Sequence, residues 1–367
     1  MPDNKSHHFV PQFLLKNFAS DFRKRHFCMH LVDCRRHVPI VSIRDQCARD
    51  YMYGKELELE RAFGELESAA AAVIRSIMSG NPAPDWGTSE FATLLVFMHF
   101  QWFRTPVALA RQNAWDGEMI RQLAKSDPRL PPELRDPLDR VRVSSGMQVA
   151  EGLFLAARHW VLLEDLRMKV LRNISDLEFI IGDAPVVLHN QWCRRLRGWG
   201  SLGLACSGLQ LLFPVSPEHL ILLYDPDTYD VEGATEIVSV SDDEEVHRLN
   251  YLQFAAADKA VFYRSAAMAP RVAEIPASVR EDRLGVRASR FVSEADENSQ
   301  LFVFSNVPMN VDLRRGVIGM RPRASLTPLP QRMQRWRPEA YAKVRAMNRP
   351  ERHHARRGGC ERYRRVE

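Results

Sequence analysis

The spacing of apolar residues changes near Asn173, and no other feature limits the possible folds as strongly. Residues 56–78, ELELERAFGELESAAAAVIRSIM, place Leu59, Phe63, Leu66, Ala70 and Ile74 close to a 3.6-residue period among strong helix formers, the pattern of a helix with one buried face. Beyond Asn173 the apolar residues come instead in short runs, over 177–181, 186–189, 210–213, 220–224, 260–263 and 301–304. Runs of that length between turn residues predict strands. The chain is therefore expected to be α+β and to form a single domain over 6–310. An N-terminal segment and hairpin lead into a helical part over about 56–170, and a strand-rich part over about 175–305 follows as a mainly antiparallel sheet.

Local signals supply the remaining elements. Pro11 ahead of Phe13-Leu14-Leu15-Lys16-Asn17-Phe18 predicts a short helix with proline in its first turn. Phe27–Val32 and Val38–Ile43 flank the polar Asp33-Cys34-Arg35-Arg36-His37 and predict a hairpin. Asn81-Pro82-Ala83-Pro84 ends the first long helix, and Ser89 is placed to cap a second that runs from about Glu90 toward Lys125. Pro106 should kink or divide that helix. Four prolines between Asp127 and Pro137 predict a loop before a third helix, from about Ser145 to Val170. Asp242–Phe254 predicts a helix among the later strands.

Composition narrows the classes of function. The longest uncharged apolar stretch, Phe91–Phe103, includes His99 and Gln101 and falls short of the roughly 20 apolar residues of a membrane span. The polar opening MPDNKSHHFVPQ has no secretory pattern, and the six cysteines are scattered rather than set at framework spacings. A soluble cytoplasmic protein with free thiols and no membrane partner is expected. The net charge of +5 is unevenly placed: residues 321–367 hold 14 Lys/Arg against 4 Asp/Glu, which leaves the rest of the chain at −5. Rich in Arg and Pro and poor in aliphatics, that segment is expected to be a disordered basic tail, apart from a short helix near Pro338–Met347. Trp336, Tyr341 and Tyr363 interleave with its arginines. That combination can neutralise phosphates and stack on bases, so nucleic acid is the partner it suggests.

Several short motifs recur in a fixed order. The opening Ser6-His7-His8-Phe9-Val10-Pro11-Gln12-Phe13-Leu14 is followed by Arg49-Asp50-Tyr51-Met52-Tyr53, by Glu60 and Glu67, and by Gln101 with Arg104-Thr105-Pro106. Then come Gly182-Asp183-Ala184-Pro185-Val186, Phe213-Pro214-Val215-Ser216-Pro217, and Asn250 with the small residues Ala255–Ala257. Together they resemble the uncharacterised bacterial family known as domain of unknown function 4238, over roughly residues 6–265. The sequence departs from the family pattern at Gly182 and Ala184, where Ser and Asn are usual. The resemblance implies that His7, His8, Gln12, Glu60, Glu67, Gln101, Arg104 and Asp183 belong to one polar cluster, but it implies no activity.

These residue types allow two readings. Imidazoles can ligate a metal or move a proton near neutral pH. Glu60 and Glu67, seven apart, share a helical face. With Asp183 they could supply oxygens to a divalent metal, the one cofactor this set suggests. Arg104 on an apolar helix requires an anion, either Asp183 or Glu67 within the chain or the charge that develops on a ligand. The first reading is a metal-assisted hydrolase, a nuclease or phosphodiesterase, in which His7, His8, Arg104 and Asp183 are catalytic and His7, His8, Glu60, Glu67 and Asp183 hold the ion. Gln12 and Gln101 would complete that site. The second is a non-catalytic binding or interaction protein in which the same residues form a buried structural network. Phosphate-loop, dinucleotide, nucleophile-elbow and His-Glu-x-x-His templates are all missing. His26, Cys28, His30, Cys34 and His37 lie on predicted strands with a Cys-x5-Cys spacing unusual for structural zinc.

Overall fold

The computed structural model describes residues 6–21, 23–50, 52, 57–126, 131, 145–196, 201–233, 235–280, 287–293, 300–305, 309–313, 316–328, 335–347 and 363–366. The first half runs β1 (Ser6–His8), α1 (Gln12–Leu15), β2 (His26–Leu31), β3 (Arg36–Ser42), β4 (Ala48–Asp50), α2 (Leu57–Met78), α3 (Ser89–Phe103), α4 (Pro106–Ser126) and α5 (Ser145–His159). It continues through β5 (Arg167–Asn173), β6 (Ile181–Gly182), β7 (Val187–His189), β8 (Gln210–Ser216), β9 (His219–Tyr224), β10 (Tyr229–Val231), β11 (Ile237–Val240), α6 (Asp243–Ala256) and β12 (Ala260–Tyr263). The last elements are α7 (Met268–Glu274), β13 (Arg287–Ser293), β14 (Gln300–Ser305), β15 (Ile318–Met320), α8 (Pro322–Leu326), α9 (Pro338–Met347) and β16 (Tyr363–Val366). The class is α+β with mainly antiparallel pairing, as the apolar spacing predicts.

A five-stranded sheet, ordered β11-β5-β9-β8-β7, is the middle layer. Its pairs are antiparallel except β11 with β5. Successive strand residues point to opposite faces, and here both faces are dry. Leu211, Phe213, Val215, Ile221 and Leu223 join the core beneath α2 and α3, whereas Leu212, Leu220 and Leu222 join a second core shared with α6 and residues 309–324. Burial on both sides is why β8 and β9 read as continuous apolar runs rather than alternating ones. A four-stranded sheet, β3-β2-β12-β6, contains the expected hairpin and carries a third, smaller core against α7.

Some boundaries differ from expectation. Thr88, not Ser89, caps α3, its Oγ1 accepting from the Phe91 N–H. Pro106 divides the long helix into α3 and α4 as expected. The third helix ends at His159 and not near Val170: a 3-10 turn over Trp160–Leu163 follows, and β5 begins at Arg167. Among the described residues, no helix is long and apolar enough to cross a membrane.

The segment after 321, expected to be disordered apart from a helix near Pro338–Met347, is described in part: α8 and α9 are folded onto the body, α9 over that expected span, while 329–334 and 348–362 lie outside the described residues. The physical reason is Arg337. Its buried guanidinium bonds Asp165 Oδ2 at 2.9 Å and the carbonyls of Cys206, Leu204 and Leu162. Trp192 Nε1 adds a bond to the Ala324 carbonyl at 2.8 Å. Polar staples of this kind fix a segment too poor in aliphatics to be held by burial alone.

Candidate functional site

Both histidines sit on β1, whose antiparallel pairing with β4 sets His7 opposite Arg49 and His8 opposite Ala48. His7 is buried and His8 half-buried. The Nε2 of His8 lies 3.1 Å from the Arg44 carbonyl and 3.1 Å from Gln12 Nε2. One ring nitrogen cannot donate to the carbonyl and accept from the amide together, so the tautomer selects the bond. With Nε2 protonated the ring ties β1 to the turn at Ile43–Asp45, and with Nε2 bare it ties β1 to the start of α1.

The next residue opens a longer chain of bonds. Phe9 donates its N–H to the Cys47 carbonyl at 2.8 Å, and its own carbonyl accepts from Gln101 Nε2 at 2.8 Å. Gln101 Oε1 accepts from Arg104 Nε at 2.8 Å, and Arg104 Nη1 donates to Glu67 Oε1 at 2.6 Å. Gln101 and Arg104 share one face at the end of α3 because they are three residues apart. The guanidinium, with its side chain 1% exposed, also lies against the rings of Phe63 and Phe97, 5.2 and 5.8 Å from their centroids. Glu67 supplies the anion that Arg104 requires. Arg104 Nη2 has no hydrogen-bond partner among the described residues.

Removing the carboxylate should therefore be costly. Glu67→Ala strands a buried guanidinium and is expected to lower the unfolding free energy by about 3 kcal/mol. Urea denaturation checks this, and the Glu67→Ala/Arg104→Met double variant should recover part of the loss. A single variant as stable as the parent would show that the pair carries no such burden.

Asp183 occupies a different environment. Its Oδ1 accepts from the Asp258 N–H at 2.5 Å, and its Oδ2 accepts from Lys259 and Ala260 at 2.7 and 3.2 Å. Burial pushes its carboxyl up to about 6, against the opposing pull of those N–H groups. The carboxylate thus closes the turn between α6 and β12, while the Asp183 N–H bonds the Ala260 carbonyl at 3.1 Å. Alongside it, Asn250 and Gln253 on α6 clasp the same segment. Asn250 bonds the Ile180 N–H and the Glu178 carbonyl, and Gln253 bonds the Gly182 N–H and the Pro185 carbonyl. Gly182 suits this contact, since a Cβ there would meet the Gln253 carbonyl at 3.2 Å.

The expected single cluster is thus three sets: Glu67, Gln101 and Arg104 on the Phe9 main chain; His8 with Gln12; and Asp183 in its turn. Among the described residues no hydrogen bond or ion pair joins Asp183 to Arg104, Glu67 or His8. The side chain of Glu60 lies outside the described residues. Among the described residues, which exclude the Glu60 side chain, no three His, Cys, Asp or Glu side chains group as an ion would need. Of the hairpin His/Cys series, His37 Nδ1 lies 2.7 Å from the Tyr263 hydroxyl and Cys28 Sγ donates to the Pro39 carbonyl. Beside Phe63 lies a pocket of about 410 Å³ lined by Leu66, Phe100, Leu153 and other apolar side chains. It presents no acid, base or nucleophile.

Sequence reasoning missed three buried polar anchors. Gln253 and Arg337 are two, and Asn190 is the third, with Nδ2 bonded to the Ser201 and Ser207 carbonyls and Oδ1 accepting from the Cys193 N–H. Apart from the Asp165 carboxylate on Arg337, the partners named here are main-chain groups, which leave no mark on residue spacing. Gly208 packs against this amide with φ +78, and a Cβ there would come within 2.6 Å of Asn190 Oδ1, so the position requires glycine. No curated protein and no solved structure matches the chain. Residues 6–267 match the family described as protein of unknown function (DUF4238), and the chain belongs to that family.

Proposed function

We propose that this chain is a binding protein and that its ordered polar motifs build the scaffold rather than a hydrolytic centre. One observation carries the reading: both oxygens of Asp183 accept from backbone N–H groups, three in all. A carboxylate so used is not free to ligate an ion or to take a proton from water without opening its own turn. The same logic applies to Arg104. Its Nη1 and Nε are held by Glu67 and Gln101, and it stands over apolar rings instead of an aqueous cleft. Asn17 Nδ2, bonded to the Val215 carbonyl at 2.9 Å, ties the opening motif to the Phe-Pro-Val-Ser-Pro strand in the same manner.

The test is metal analysis of the purified protein beside a His7→Ala/His8→Ala variant, with both screened for phosphodiesterase and nuclease activity. Sub-stoichiometric metal in both, and no hydrolysis above buffer, are expected. One divalent ion per chain that disappears in the variant, or hydrolysis that the variant loses, would overturn the scaffold reading and restore the metal-assisted hydrolase.

A further inference from the structure

An arginine-rich cleft lies away from the motif residues. A cleft of about 990 Å³ opens between the β9–β10 turn and the segment holding α8 and the start of α9. Five arginines line it: 167, 321, 323, 335 and 337. Two are internally balanced, Arg337 by Asp165 and Arg321 by Asp230 and the Pro226 carbonyl. Asp225, on the opposite wall, is also occupied, its oxygens accepting from the Gly208 and Asp227 N–H groups and the Thr228 hydroxyl. The side chains of Arg167, Arg323 and Arg335 are exposed and form no ion pair among the described residues; Asp227, also exposed, is the second carboxylate of the lining, so five arginines face two aspartates.

Aromatic rings interleave with these cations. The Arg167 guanidinium lies 4.3 Å from the centroid of Trp86. Trp336, 40% exposed on the cleft wall, meets Tyr341 edge-on with centroids 5.1 Å apart. Arg345, one turn further along α9, sits 6.0 Å over the Tyr341 ring. The succession from Arg323 and Arg335 through Trp336 and Tyr341 to Arg345 alternates charge with exposed π-faces. A phosphate alone would need no such faces, and the excess of arginine over aspartate in the cleft favours a polyanion over a protein surface.

We infer that this cleft and the exposed face of α9 bind single-stranded nucleic acid, with Arg167, Arg323 and Arg335 on phosphates and Trp336 and Tyr341 stacking on bases. The inference rests on the binding-protein reading only for its biological sense, since the cleft contains none of the His, Glu or Asp residues of that reading. It also relocates the nucleic-acid contact expected of a loose basic tail to a formed surface. Removing everything after Arg321 is therefore a poor test, because Arg337 and the contact of Trp192 with Ala324 would be lost with it.

The test is fluorescence anisotropy with labelled oligouridylate and oligothymidylate of about twelve nucleotides, a length within the usual site range. The full chain should bind both, with affinity falling steeply as salt rises. Arg323→Glu/Arg335→Glu is expected to weaken binding at least about tenfold and to reduce the salt slope by about 1.4, two single-strand phosphate contacts. Trp336→Ala should cost about tenfold with the slope nearly unchanged, as stacking requires. The two arginine side chains are exposed, so the double variant should melt as the parent does. Trp336, 40% exposed and packed against Tyr341, is compared at a temperature where circular dichroism shows its variant fully folded, which separates lost contact from lost fold. Displacement of the strand by equimolar mononucleotide, or equal binding of a non-nucleic polyanion of matched charge, would replace a strand site by a phosphate or general polyanion site. Unaltered affinity in the double-arginine variant, or no binding by the parent at low salt, would overturn the inference. Metal-dependent hydrolysis in the earlier screen would overturn the scaffold reading alone.

Discussion

Replacing Asp183 by alanine is expected to lower the unfolding free energy by about 4 kcal/mol, the largest effect of any single substitution among the motif residues. The carboxylate satisfies the N–H groups of Asp258, Lys259 and Ala260 together. Each buried donor left unpaired costs about 1–3 kcal/mol, and the half-buried Asp258 and exposed Lys259 let water recover some of that loss. The isosteric Asp183→Asn separates structural from chemical roles. Its amide nitrogen would face the donors that one oxygen now accepts, so it should destabilise nearly as much as alanine. A catalytic carboxylate would behave otherwise, with asparagine abolishing turnover while stability held. Urea unfolding of the three proteins decides between them, and an asparagine variant within about 1 kcal/mol of the parent would remove Asp183 from the scaffold.

The parts of this fold that were legible in the sequence are those whose burial has a period. α2 shows its apolar stripe directly, and β8 and β9 show continuous apolar runs because two cores enclose them. The first residues of β5 fall within the span expected to be helix, which ended near Val170, since Arg167, Lys169 and Arg172 break its apolar run. In the fold Lys169 is buried, and its Nζ donates to the Gly233 and Thr235 carbonyls. That arrangement depends on a loop more than sixty residues away and has no local signature. β10 and β15, three residues each, pair with one another across a comparable distance.

The same division holds for the candidate site. Arg104 on an apolar helix announced its need for an anion, and one of its two named partners, Glu67, meets it. Asp183, read as a metal ligand, a catalytic acid or the partner of Arg104, gave no sign of its main-chain partners. That its partners are backbone N–H groups of a turn 75 to 77 residues later could not be read from side-chain identities. For the basic segment the sequence showed charge and aromatic rings but not their anchor, because Arg337 looks like its neighbours until Asp165 and three carbonyls are seen around it.

Acid should destabilise this protein well before its surface carboxylates are titrated. His99 and His189 are fully buried, and burial lowers their pKa values to about 3 and about 4. In the unfolded chain each titrates near the ordinary value of about 6.5. A base whose folded value is depressed contributes stability that is present above 6.5 and is lost as pH falls below it, because only the unfolded state takes up the proton. Each histidine then weakens the fold by about 1.4 kcal/mol per pH unit. Asp183 has the opposite sign. Its folded value, raised to about 6, lets the native state take a proton first and offsets part of the loss between about pH 6 and 4. The net decline from pH 6.5 to 4 is on the order of 4 kcal/mol, a large share of a typical domain's stability. Thermal unfolding followed across that range should show a steep fall in midpoint, and His99→Leu should remove close to half of the histidine contribution. A midpoint that stays level from pH 7 to about 4.5 would mean that neither histidine is held neutral by the core.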